Sequence, residues 1–245
     1  MIGGSVRIGT SGWSYAHWKG RFYPRSIPNG AMLSEYAKSF TTAEVNSSFY
    51  RLPASTSIDL WLRATPSEFV FAVKASRYIT HMKKLNDPQT STAPLLGRIR
   101  GLGKKLGPIL FQLPPHWPFD ERRLAAFLAA LPTEFRYAFE FRDRSWLNDK
   151  TLELLAAREA ALCIYELEGF VSPLEVTTDL VYVRLHGPAH AYRGSYDERS
   201  LERWAKTLAD WLACGREVYC FFDNDEAAYA ARNALRLQTL LGAPP

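Results

Sequence analysis

Long apolar runs are missing from this 245-residue chain, so a membrane-spanning helix is not expected. Cysteine is scarce. Cys163, Cys214 and Cys220 are the only three and show no CxxC spacing. That excludes a disulfide scaffold, and with no secretory leader read at the amino end it gives free thiols in the cytoplasm as the expectation. Histidine is also sparse. Of His17, His81, His116, His186 and His190, only His186 falls on an expected strand, so a multinuclear zinc cluster lacks ligands. A single hard divalent cation held by Glu44, Glu140, Asp223 and His186 stays open as the one cofactor expectation. No GxGxxG turn follows the first strand. Gly9-Thr10-Ser11-Gly12 is off pattern, and Gly101-Leu102-Gly103 with Gly107 precedes a strand, which argues against an open nucleotide-binding sheet. Linkers and low-complexity segments are absent too, so residues 1–245 read as one domain.

What is present is ordinary soluble composition with a mild positive balance. Hydrophobic residues make up 47%, charged residues 22%, and the formal charge is +5. That balance permits a phosphate-bearing small molecule or a nucleic acid as partner without demanding either.

Eight strands are expected: Val6–Thr10, Thr41–Asn46, Phe69–Lys74, Ile109–Gln112, Tyr137–Arg142, Ala161–Glu166, Val181–His186 and Glu217–Phe222. Helices are expected at 31–39, from a Thr56/Asp59 capping box, at 94–106, 120–131 and 150–158, from a Ser195/Glu198 capping box to about Cys214, and at 227–241, the last opened by Asp223 to Glu226. Residues 167–179 show no clear helix, so the sixth link is degenerate. Residues 75–92 read as a long polar loop able to close as a lid. Eight strands alternating with helices predict an α/β fold, a TIM (β/α)8 barrel with a closed parallel sheet, for which about 250 residues is the usual size.

The stretch Thr41 to Pro53 organises the rest. Side chains alternate along a strand, so Glu44 and Asn46 share a face. Glu140 with Arg142, and Arg184 with His186, repeat the pattern. Polar pairs at the carboxyl ends of apolar strands predict one shared basin, because carboxyl ends converge on the site of such a barrel. Glu44, Glu140 and His186 are the candidates for proton transfer. Arg142, Arg184 and Lys74 suit an anionic group, and Lys74 would be a Schiff-base amine if desolvated. Asn46, Gln112 and either Asp223 or Asn224 belong to the same basin. Trp13, Tyr15, Tyr50 and Tyr192 supply aromatic planes, within a wider rim of Trp18, Tyr23, Trp117, Trp146 and Tyr196. The plain structural alternative is a buried ion network in which Arg142, Arg184 and Lys74 neutralise Glu44 and Glu140.

These motifs resemble the family called domain of unknown function 72, or YecE-like. The matching segments are Ile8 to Tyr15 with Trp18, Phe22 to Pro24, Glu44 to Tyr50, Phe71 to Ala75, Phe111 to Pro115, Glu140 to Arg142 with Ser145-Trp146, Arg184 to Gly187, and Asn224-Asp225 with Ala230 and Asn233-Ala234. The resemblance implies a TIM barrel with a polar pocket and no established reaction. Asp223 stands where that family usually has the first Asn of Asn-Asn-Asp. Three functions follow as expectations: hydrolysis of a phosphate-bearing substrate or nucleic acid, a carbohydrate enzyme of glycosidase or isomerase type built on two carboxylates, and a non-catalytic anion-binding protein.

Overall fold

A computed structural model describes residues 3–242. One sheet contains β1 (Ser5–Thr10), β2 (Thr42–Val45), β3 (Val70–Lys74), β4 (Leu106–Leu113), β5 (Tyr137–Phe141), β6 (Ala161–Leu167), β7 (Phe170–Val171), β8 (Leu180–Leu185) and β9 (Glu217–Phe222). Eight run parallel in the order β1-β9-β8-β6-β5-β4-β3-β2. The two-residue β7 is antiparallel to β6 and fills the helixless sixth link. The two ends of that order meet where Ser11 bridges Glu44 and Gly12 N–H donates to the Glu44 carbonyl at 2.8 Å. The sheet is thus a nearly closed TIM-like barrel. Gly9 lies at the seam, where a Cβ would run into the Thr42 carbonyl and the Tyr36 hydroxyl.

The helices are α1 (Met32–Tyr36), α2 (Ser55–Ala64), α3 (Pro88–Ile99), α4 (Glu121–Ala130), α5 (Asp149–Ala156), α6 (Glu198–Ala213) and α7 (Tyr229–Leu241). None is long and apolar enough to cross a membrane. Several boundaries differ from expectation. Residues 75–92 are not one long loop: Tyr78–Met82 form a turn of π-helix, and α3 begins at Pro88, whose missing N–H costs nothing in a first turn. Neither capping box forms. Ala54 precedes α2 with no side-chain cap, and Asp197, not Ser195, caps α6 by accepting from Ser200 N–H at 2.8 Å. Asp223 to Glu226 do not start α7, which begins at Tyr229. The loop they occupy belongs to the barrel mouth.

Strand alternation sorts the core into two layers. Outward residues pack under the helices. Inward residues Val70, Ala72, Leu110, Ala138, Ala161, Cys163, Leu180, Tyr182, Tyr219 and Phe221 fill the lumen. Two positions further along, the same inward face carries Lys74, Gln112, Glu140, Arg184 and Asp223. The polar basin is therefore the top layer of the barrel interior, built on a mostly apolar plug.

Candidate active site at the carboxyl ends of the strands

Arg184 sits at the centre and is wholly buried. One terminal nitrogen donates to Glu44 Oε1 at 2.7 Å, the other to Glu140 Oε2 at 2.8 Å. The first also lies 3.2 Å from Asp223 Oδ2 and 3.2 Å from Ser11 Oγ. Glu44 is satisfied further by the hydroxyls of Ser11 and Tyr182, both at 2.6 Å. Glu140 also takes an ion pair from Arg142 Nε. Burial pushes the Glu140 carboxyl up, but Arg142 first, then Arg184 and His186, outweigh it and hold the group well below the usual range.

His186 bridges the remaining groups. Arg142 Nη2 is 2.9 Å from Nε2, and Asp223 Oδ2 is 3.1 Å from Nδ1. A guanidinium only donates, so Nε2 accepts and Nδ1–H donates to Asp223. Both ring nitrogens are engaged inside the network. For Asp223, burial again pushes upward, and the His186 hydrogen bond with Arg184, His186 and Lys74 brings the carboxyl below its usual value.

Above this floor opens a cavity of about 480 Å³ lined by Trp13, Tyr15, Asn46, Tyr50, Lys74, Tyr192 and Asp223, among others. A larger groove of about 810 Å³ lies at the opposite end of the barrel around Arg136 and Asp179, far from these groups. Glu44, Glu140, Arg184 and His186 are completely shielded, whereas the Asp223 side chain is 12% exposed. Lys74 is the cation that faces the cavity. Among the described residues no carboxylate is within ion-pair distance of Nζ, which sits instead 4.3 Å from the Phe49 ring centroid. Burial first and Arg184 second bring the Lys74 pKa down to about 8, against the pull of Glu44, Glu140 and Asp223.

The structure brings every candidate toward one end of the barrel but gives them different stations. Trp13, Tyr15, Asn46, Tyr50, Lys74 and Tyr192 line the cavity. Gln112 pairs in register with Glu140 and is largely buried, its Oε1 without a partner. Asn224 is buried beneath the mouth, donating to Gly194 O at 2.8 Å and Asn233 Oδ1 at 2.9 Å. Trp18 and Trp146 are fully buried packing residues, and Tyr23, Trp117 and Tyr196 are nearly so. In the ion network Lys74 takes no part, contrary to the expected neutralising trio. Arg184 occupies the space between Glu44 and Glu140 that a cation would need, and no group of three metal-ligating side chains forms among the described residues. The donors therefore do not fit a metal.

Sequence reasoning missed Ser11 and Tyr182 as partners of Glu44, and left Asp223 and Asn224 as alternatives for the cavity position that Asp223 takes. Tyr182 was findable, since it lies two residues before Arg184 on the same strand face.

Known proteins resemble this chain across most of its length. UPF0759 protein YunF of Bacillus subtilis (strain 168) is 25% identical over 272 residues, covering 96% of this chain and 94% of that protein. UPF0759 protein YecE of Escherichia coli (strain K12) is 31% identical over 141 residues, 56% of this chain and 48% of that one. A crystal structure of a DUF72 family protein (TM1631) from Thermotoga maritima MSB8 superposes with a TM-score of 0.87 at 29% identity, covering 97% of this chain and 99% of its own. One from Enterococcus faecalis V583 (EF0366) shares the fold at a TM-score of 0.82 and 20% identity, with both chains fully covered. The family described as protein of unknown function DUF72 matches residues 7–245, nearly the whole barrel chain, and the chain belongs to that family.

Proposed function

We propose that the carboxyl-end cavity is an active site that hydrolyses an ester of a small phosphate-bearing substrate. The observation that supports it is the pairing of cavity-facing groups: one carboxylate held ionised by His186 and Arg184, and one ammonium with no carboxylate of its own. The substrate phosphate sits in the field of Lys74, with Arg184 and Arg142 beneath. Asp223 takes a proton from water as the oxygen attacks phosphorus. The ester P–O bond breaks, and the leaving oxygen takes a proton from the Lys74 ammonium. Glu44, Glu140 and His186 act as positioning residues under this pair.

A nucleic-acid substrate is the larger version of the same reading, with Trp13, Tyr15, Tyr50 and Tyr192 as stacking planes. For a glycosidase, Glu44 and Glu140 are close enough, but the guanidinium between them leaves no room for a sugar. The test is a set of sugar phosphates, nucleotides and short oligonucleotides, scored for thermal shift and phosphate release. A phosphate ester that raises Tm and is turned over, with turnover lost on Asp223→Asn and the Tm shift kept, is the expected result. Binding without turnover supports the anion-binding alternative. Undiminished turnover by D223N removes the catalytic assignment.

A further inference from the structure

We propose that Lys74 is an imine-forming nucleophile that captures small aldehydes and ketones entering the carboxyl-end cavity. This activity goes beyond hydrolysis and does not rest on it, since it needs only the amine, Asp223 and the open space.

An amine that reacts with carbonyls must reach a cavity, be free of ion pairs, lose its proton near neutral pH and have a proton carrier beside it. Lys74 lines the cavity of about 480 Å³. The surrounding acids are already taken: Glu44 by Ser11, Tyr182 and Arg184, Glu140 by Arg142 and Arg184, Asp223 by His186 and Arg184. The network thus places three carboxylates near the amine and lets none bind it. Burial together with Arg184 lowers its pKa to about 8. Roughly a tenth is then neutral at pH 7, far more than for a lysine near 10.4. His81, on the neighbouring π-turn, packs 5.0 Å from the Phe49 ring that backs the amine. Asp223 shares the cavity, and so does Asn46.

The chemistry balances without a cofactor. The Nζ lone pair attacks the carbonyl carbon, Asp223 takes a proton from nitrogen and returns one to oxygen, and a carbinolamine forms. Asp223 then takes the carbinolamine's remaining N–H proton and passes it to the hydroxyl, which leaves as water as the nitrogen electrons close the C=N bond. The net change is amine plus carbonyl to imine plus water. Protonated, the iminium keeps a third positive charge, with Arg142 and Arg184, against Glu44, Glu140 and Asp223.

The test treats the intact protein with dihydroxyacetone and sodium borohydride at pH 7.5. The hydride and a proton reduce any imine to a stable secondary amine, and peptide mass spectrometry locates it. Lys83 and Lys150 are the internal controls: Lys83 is half-buried and Lys150 exposed, and hydrogen bonds to Asp87 and Glu153 push their pKa upward. The expected result is labelling of Lys74 at least tenfold faster than either control, slowed severalfold at Lys74 alone by D223N. Labelling of Lys74 no faster than Lys83 and Lys150, in protein with an unchanged Tm, overturns the proposal. Selective labelling in protein that hydrolyses no phosphate ester upholds the imine and sinks the hydrolytic reading alone.

Discussion

Arg184 decides what its neighbours can do. A wholly buried guanidinium is tolerable only because Glu44, Glu140 and Asp223 surround it, and among the described residues Glu44 has no other cation within ion-pair distance. Arg184→Met leaves the sealed Glu44 carboxylate without a cation, while Glu140 keeps Arg142, and is expected to cost roughly 3–5 kcal/mol, read by urea unfolding. Tyr182→Phe is milder. It strips one hydroxyl from Glu44 and leaves a buried oxygen unpaired, an expected loss of about 1–3 kcal/mol with the fold kept. A loss below a few tenths of a kcal/mol would show that the oxygen finds another partner. Acid should act through the same groups. Glu140 and Asp223 have folded pKa values below their unfolded ones, so their contribution is complete above the unfolded carboxylate range and is lost as pH falls through the folded values. Stability measured by urea midpoint should therefore fall below about pH 4, and Glu140→Gln should flatten that limb.

At the scale of elements, the mouth is held by loops clasped to each other. Trp18 Nε1 donates to Asp225 Oδ1, and His17 Nε2 lies 3.0 Å from Asp225 Oδ2, so the loop after β1 is tied to the loop after β9. Burial raises the Asp225 pKa to about 6. The sign is opposite to that of Glu140: this group's contribution is full below the unfolded value and fades as pH rises through about 6. Asp225→Asn should remove that slope between about pH 4 and 6, and an unchanged slope would place its origin elsewhere. Which elements could be read from sequence follows from their periodicity. The strands were legible because apolar alternation has a fixed period of two, and that same period placed Glu44, Glu140 and Arg184 on one face. Helix starts were not. Thr56 and Ser195 satisfy a spacing rule, yet chain direction set by the barrel puts the true first turns at Ser55 and Glu198. The sequence offers Asp223 two places, the polar basin and a helix start, and it lines the cavity because α7 begins only at Tyr229.

For the whole molecule, the barrel makes a seat and the top layer makes the chemistry. Closure at the Ser11–Glu44 bridge brings residues from opposite ends of the chain within bonding distance of one guanidinium. Gly9→Ala should loosen that seam, lowering Tm and weakening ligand-induced stabilisation together; an unchanged Tm would show that β1 and β2 can part without cost. What sequence could not supply was depth. Alternation says which face a side chain shares, but not that Glu44, Glu140 and His186 are sealed while Lys74 and Asp223 reach the cavity. Titrating the Lys74 ε-ammonium by NMR, in protein labelled at lysine, reads that division out. The expected midpoint is at about 8. A midpoint near 10.4, the ordinary value, would mean that a carboxylate holds the amine and that the cavity has no unpaired cation to offer a ligand.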